Sequence, residues 1–242
     1  MNRLKRKPVR HVAAALFLLA SLLPAAAVVA QVTVKQAPVE AKVRTFDPKR
    51  PPAEMPPLSG DEAAVTSSKF SCGVRVEVSI TPGDAPVMTI TGVTVEIGLS
   101  VVEWLPTAVS PKIRAHEAAH RQISEHYYSR AGEAAKRIAQ KYVGRTFRVA
   151  STESADTTPV IRKAANEFSG EYFGATEVPA QKAQETFDRL TDHGRNDVPE
   201  KEAIRRSIAS AAATGAAPAT ASAAAAAAAA AGTTRPAAAP RR

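Results

Sequence analysis

Apolar and polar residues alternate most clearly between Phe70 and Val101. Val74, Val76, Val78 and Ile80 alternate with Arg75, Glu77 and Ser79, which is the period-two pattern of a half-buried strand. Thr81-Pro82-Gly83-Asp84 supplies turn chemistry, and Val87 to Ile90 and Val93 to Val101 read as further strands. A small antiparallel sheet is expected here. After Ser110-Pro111 the period changes. A hydroxyl N-cap followed by Pro at the first helical position starts a helix. No Gly or Pro interrupts it before Gly132, the helical pattern continues to Val143, and Gly144 suits the residue just past a helix end. His116, His120, Ile123, Tyr127, Ala134 and Ile138 recur at steps of three, four and seven, forming one inward stripe.

Arg145 to Ala150 reads as extended. Thr158-Pro159 starts a second helix that ends near Gly170. Thr176 caps a third, with Ala183, Phe187 and Leu190 on its buried side and Gly194 just past its end. Glu200 to Ala213 forms a fourth. The expected class is α+β: a small antiparallel sheet, then a long helix, then two to three further helices.

The flanks differ in character. Residues 1–30 carry a basic start (Arg3, Lys5, Arg6, Lys7, Arg10), an apolar run from Val12 to Leu23, and small residues in Val28-Val29-Ala30. That is the pattern of an export signal cleaved before Gln31. An uncleaved membrane anchor is the rival, because the apolar run approaches the length of a span; Pro24 and the Ala-rich end favour cleavage. The body is thus expected to be periplasmic or secreted. Residues 31–64, with Pro51-Pro52 and Pro56-Pro57, read as a Pro-rich linker with one extended segment at Val32 to Val34. Residues 65–213 form the folded domain. Residues 214–242 are a low-complexity tail, with Ala223 to Ala231 unbroken.

The formal net charge of +9 is concentrated at the ends, five positive charges in the signal and three in the tail (Arg235, Arg241, Arg242). The body is close to neutral and carries no electrostatic argument for nucleic acid. The one cysteine, Cys72, excludes an internal disulfide and reads as a small strand residue.

The chemistry lies in His116-Glu117-Ala118-Ala119-His120, an H-E-x-x-H run inside the long helix. Helical residues four apart are turned by about 40° and raised by about 6 Å, so both imidazoles leave one face and can share a metal ion. Glu117 lies beside that ion, about 100° round the helix from His116, as a general base rather than a ligand. The third ligand is open. His126 matches the spacing of H-E-x-x-H-x-x-G-x-x-H, but Ile123 stands where that motif needs Gly. On a continuous helix His126 lies about 9 Å along the axis from His120 and about 120° round. His193, in Thr191-Asp192-His193-Gly194, is the other histidine of the body. Glu171, Asp188 and Asp192 are carboxylate alternatives.

These motifs resemble a bacterial family of predicted secreted zinc-dependent proteases, filed as a domain of unknown function. The likeness covers roughly Phe70 to Gly194. It rests on the strand end Val101-Val102-Glu103-Trp104, on H-E-x-x-H, and on an aromatic-Asp-x-x-Thr-x-His-Gly run, here Phe187-Asp188-Arg189-Leu190-Thr191-Asp192-His193-Gly194. Phe187 stands where the family pattern has Tyr. The resemblance implies a zincin-like fold, a Zn²⁺ cofactor held by His116, His120 and His193, and Glu117 as base. The expected function is an exported zinc metallopeptidase acting on a peptide or protein substrate, with contact to a membrane only through an uncleaved signal. Tyr127, Tyr128, Tyr172 and Arg195 are candidate donors to a developing oxyanion. The rival class is a non-catalytic envelope binding or structural protein, with or without a structural zinc.

Overall fold

A computed structural model describes residues 31–58, 60, 62–149 and 157–215. The expected signal at residues 1–30 and nearly all of the Ala-rich tail lie outside the described residues. Ten elements follow one another: β1 (Gln31–Gln36), β2 (Glu40–Phe46), β3 (Val65–Thr81), β4 (Val87–Pro106), α1 (Pro111–Tyr128), α2 (Ala131–Gln140), β5 (Thr146–Arg148), α3 (Thr158–Ala175), α4 (Glu177–Thr191) and α5 (Glu200–Gly215).

The class is α+β, and β4 is the strand on which the sheet is built. It is a single strand of 20 residues rather than two. Its buried positions run Met88, Ile90, then Val93, Val95, Ile97, Leu99 and Val101. The parity changes between Ile90 and Val93. The register shows why: Glu77 faces Gly92 but Val78 faces Ile90, so Thr91 is one extra residue in β4. A one-residue bulge flips every later side chain to the other face and keeps the apolar set on the core side.

Pairing corrects the expected antiparallel sheet. β3 and β5 do run antiparallel to β4, but β1 and β2 run parallel to it, so the sheet is mixed. The expected linker over residues 31–64 is corrected by the same finding. β1 pairs with Gln31↔Gly92 through Gln36↔Ile97, and β2 with Glu40↔Ser100 through Phe46↔Pro106. The two are one interrupted strand laid along one edge of β4. The interruption contains Pro38, which has no N–H to give a ladder. β2 escaped notice in the sequence because it is an edge strand, exposed at every position but Phe46 and charged at Lys42 and Arg44, as solvated edges are.

The long helix is also corrected. It ends at Tyr128, and α2 begins at Ala131. Gln36 Nε2 donates to the carbonyl of Tyr128 at 2.8 Å, and Ser129 Oγ donates to that of His126 at 2.7 Å. Those bonds take carbonyls that a continuing helix would use. The bend lays α2 on the sheet beside β1. A Cβ at Gly132 would stand 2.6 Å from Gln36 Oε1, so a larger residue there would push the Gln36 amide aside.

Two apolar clusters result. The first joins the sheet face to Tyr128, Ala135, Ile138, Phe168 and Tyr172 from the C-terminal end of α1 and from α2 and α3. The second joins Ala119 and Ile123 of α1 to Ala183 and Phe187 of α4 and Ala203 and Ala211 of α5. Helix α1 is therefore covered on two sides. Cys72 is half-buried, and burial pushes its thiol up to about 11, which leaves little thiolate at neutral pH.

One ion pair pins α1 to the sheet. The buried Glu103 of β4 meets Arg121 Nη1 at 3.0 Å. Arg121→Met is expected to cost about 2 kcal/mol in urea unfolding, less than the ~3–5 kcal/mol of a fully buried pair because Arg121 stays partly exposed. Adding Glu103→Gln is expected to recover most of that loss. An unchanged midpoint in the single variant would show that the pair contributes nothing.

Candidate metal centre

Ser110 caps α1 by accepting from the amide of Ile113 at 3.2 Å. Six residues later the helix presents His116 and His120 toward α4, and Glu117 toward β3. The imidazoles meet Asp188 of α4. His116 Nε2 and His120 Nε2 are 3.2 Å apart, and Asp188 Oδ1 lies 3.3 Å from the first and 2.9 Å from the second. These three groups are the one cluster among the described residues able to hold a metal ion. Corners of a tetrahedron about 2.0–2.1 Å from its centre are about 3.3 Å apart, so the donor atoms suit tetrahedral coordination.

The tautomer supports the fit. Gln184 Nε2 donates to Ser124 Oγ at 3.1 Å, which turns Gln184 Oε1 toward His120 Nδ1 at 3.2 Å. Ser124 Oγ in turn donates to the carbonyl of His120 and lies 2.8 Å from Ser68 Oγ. With Gln184 Oε1 accepting from His120 Nδ1–H, Nε2 of that ring is the atom that faces the Asp188 carboxylate. Two acceptors at 2.9 Å need a cation between them, a proton or a metal. Asp188 Oδ1 is buried, and the two imidazoles are its near polar partners.

The charges respond accordingly. Burial alone would raise Asp188, but the two imidazoles hold its carboxyl well below the usual carboxylate range. Burial alone would lower His120, but the hydrogen bond and charge of Asp188, with the charge of Glu117, raise it. Burial pushes Glu117 up against the opposing pull of His120 and of the Thr66 hydroxyl. Thr66 Oγ1 donates to Glu117 Oε2 at 2.8 Å, leaving Oε1 for other partners.

Phe187 packs both imidazoles. Its ring lies 5.0 Å from that of His116 at 24° and 5.1 Å from that of His120 at 82°. It is fully buried and keeps water from that side. Beyond it the Thr-Asp-His-Gly run has a backbone purpose. Thr191 Oγ1 donates to the carbonyl of Phe187, and α4 ends on Asp192, His193 and Gly194 with φ of 50°, 52° and 79°. A Cβ at Gly194 would stand 3.3 Å from Cβ and Cγ of His116. Both the left-handed backbone and the close approach ask for glycine.

The sequence-expected ligands therefore divide. His116 and His120 come together. His193 does not join them: its Nδ1 lies 2.8 Å from Glu62 Oε1 and 4.0 Å from Asp188 Oδ1, on the wall of the cleft. The left-handed turn carries it past the end of α4, and Asp188, about one turn earlier, is the group that meets the two imidazoles. His126 stays on an uninterrupted helix away from the cluster. Glu171 is bonded to Lys141 and Tyr142, and Asp192 to Arg195. Among the candidate oxyanion donors only Arg195 lines the cleft; the Tyr128 hydroxyl bonds to the carbonyls of Ala37 and Ile97, and Tyr172 is core. Gln184, Thr66 and Ser124 were not singled out in the sequence. The one signal was Gln184 standing four residues before Asp188, on the same helical face.

No family model matches the chain, and no curated protein or solved structure is detectably similar to it.

Gln184→Leu removes the acceptor that fixes His120 and is expected to weaken metal affinity about 10–100-fold, read by competition with a chromophoric chelator. Unchanged affinity would remove Gln184 from the centre. A pH test follows from the shifts. Without metal, protonated His120 on ionised Asp188 stabilises most between about pH 4 and 6.5, and that contribution is lost as pH rises through the raised His120 value. Metal must displace this proton. The rise in Tm on adding Zn²⁺ is therefore expected to be larger at pH 8 than at pH 5.5; an equal rise at both would show that no imidazole is engaged.

Proposed function

We propose that this protein is an exported zinc-dependent metallopeptidase with a zincin-like arrangement, in which His116, His120 and Asp188 hold the metal and Glu117 is the general base. The observation that carries the reading is the convergence of three ligand atoms, beside a buried carboxylate, on the floor of an open cleft of about 460 Å³. A bound zinc ion supplies Lewis acidity toward a carbonyl and lowers the pKa of water. The chain's own groups do the rest. Burial keeps Glu117 more basic than an ordinary carboxylate, and Thr66 holds one of its oxygens. Its other oxygen takes a proton from the attacking water and passes it to the leaving amine. Phe187 shields the imidazoles, and Gln184 fixes the proton on His120 Nδ1. His193, paired with Glu62, and Arg195, paired with Asp192, line the cleft wall rather than the ligand trio.

A structural zinc site would be closed by a fourth protein ligand and would have no use for Glu117. Three ligands beside an open cleft favour the catalytic reading. The resemblance of the motifs to secreted zinc proteases and the signal-like start accord with export to the periplasm or beyond. No helix among the described residues is long and apolar enough to cross a membrane.

The purified protein is expected to bind about one Zn²⁺ and to cleave unfolded casein in a chelator-sensitive way. Glu117→Gln is expected to keep the metal and to lose at least about a hundredfold in rate. Asp188→Ala is expected to lose the metal, while His193→Ala keeps it. Full activity in the Gln variant would exclude Glu117 as base. Zinc loss in His193→Ala with retention in Asp188→Ala would restore His193 as the ligand.

A further inference from the structure

The loop between β2 and β3 has to pass from one edge of β4 to the other, because β2 and β3 flank the same end of that strand. It crosses the end of the sheet where α1 begins, next to the metal centre. Its prolines restrict the backbone, and local bonds tie its first part: Arg50 N to the carbonyl of Asp47 at 2.9 Å, Met55 N to that of Pro52 at 3.1 Å, and the Arg44–Glu54 pair at 3.1 Å. Between this loop, Phe46 and Pro106 lies a cavity of about 520 Å³, with Met55, Leu58 and Pro52 in its wall. That volume falls within the ~300–1,000 Å³ of small-molecule sites. Its lining is apolar except at one point. Glu62, held by His193 Nδ1, stands with Ala63 on the rim shared with the metal cleft.

The cleft also continues along β3, and Pro56 lines both that continuation and the proline-lined cavity. Val65, Thr66, Gln184 and Asp188 line both the metal cleft and a trough of about 360 Å³ between β3 and α4. The ligand trio thus lies in a cleft that opens both into this trough and toward the apolar cavity.

We propose that the groove binds an extended polypeptide across the metal centre, and that the proline-lined cavity receives a large apolar side chain, aromatic or Leu-like, next to the bond that is cut. The proposal rests on the peptidase reading for the cut, but not for the binding. It makes the protein an endopeptidase selective for unfolded chains with exposed apolar residues. The rigid prolines keep the pocket formed before substrate arrives, so little ordering is lost on binding.

The test uses two twelve-residue peptides blocked at both ends, identical except for a central Phe or Ala. The zinc-loaded chain is expected to cut the Phe peptide internally, beside Phe, with kcat/KM at least about tenfold higher. The Glu117→Gln variant, with or without metal, is expected to bind the Phe peptide at least about tenfold more tightly by calorimetry. Ala108 is exposed on the pocket wall. Ala108→Trp, which fills the pocket, and Leu58→Asp, which charges it, are each expected to bring the Phe peptide down to the level of the Ala peptide while cleavage of the latter persists. Equal handling of both peptides by the wild type overturns the proposal, as does a Phe preference that survives both variants. Trimming only of free-ended peptides overturns the endopeptidase part. Phe-selective binding that Ala108→Trp abolishes, without any cleavage, upholds the pocket and sinks the peptidase reading instead. Neither binding nor cleavage overturns both.

Discussion

Two imidazole nitrogens and a carboxylate oxygen lie within 3.3 Å of one another in a largely buried place, so a proton or a metal ion has to stand between them. This constraint organises the centre. Without metal a proton on His120 meets it, which is why His120 is raised and Asp188 lowered. The surroundings then serve one purpose each. Phe187 keeps water from the rings, Gly194 lets the chain pass over His116, and the Gln184–Ser124–Ser68 chain leaves His120 Nε2 free to face the others.

The constraint reaches outward through α1. Helix α1 presents His116 and His120 on one side and Glu117 on another, and both sides are covered. The sheet covers the Glu117 side, where Thr66 bonds the carboxylate, and α4 with α5 covers the histidine side. The Glu103–Arg121 pair fixes the helix against β4 at the same level. Glu117 and the histidines therefore differ in environment although they are neighbours in the chain.

The length of β4 has a second consequence. Twenty residues offer edge enough for β1 and β2 on one side and all of β3 on the other. The connection between the edges must then round the end of the sheet. That end is also where α1 starts, so the proline-rich loop becomes a wall beside the metal centre. Its prolines, which read in sequence as a spacer, serve as a fixed surface.

What the sequence determined by itself is local. The i, i+4 spacing of His116 and His120 settles their common face, because helix geometry depends on near neighbours alone. Ser110-Pro111, the alternation from Val74 to Ile80 and the Thr-Pro-Gly-Asp turn mark elements for the same reason, and all three stand where they were read. The tertiary structure decided whatever depends on distant contact. Asp188 rather than His193 completes the trio, because the left-handed turn after Thr191 carries His193 past the cluster. The long helix breaks after Tyr128 because Gln36, 92 residues away, takes its carbonyl. β1 and β2 pair parallel to β4 because its edge is long enough to receive them. None of these follows from periodicity, since each is set by which remote backbone or side chain reaches the site first and satisfies its polar groups.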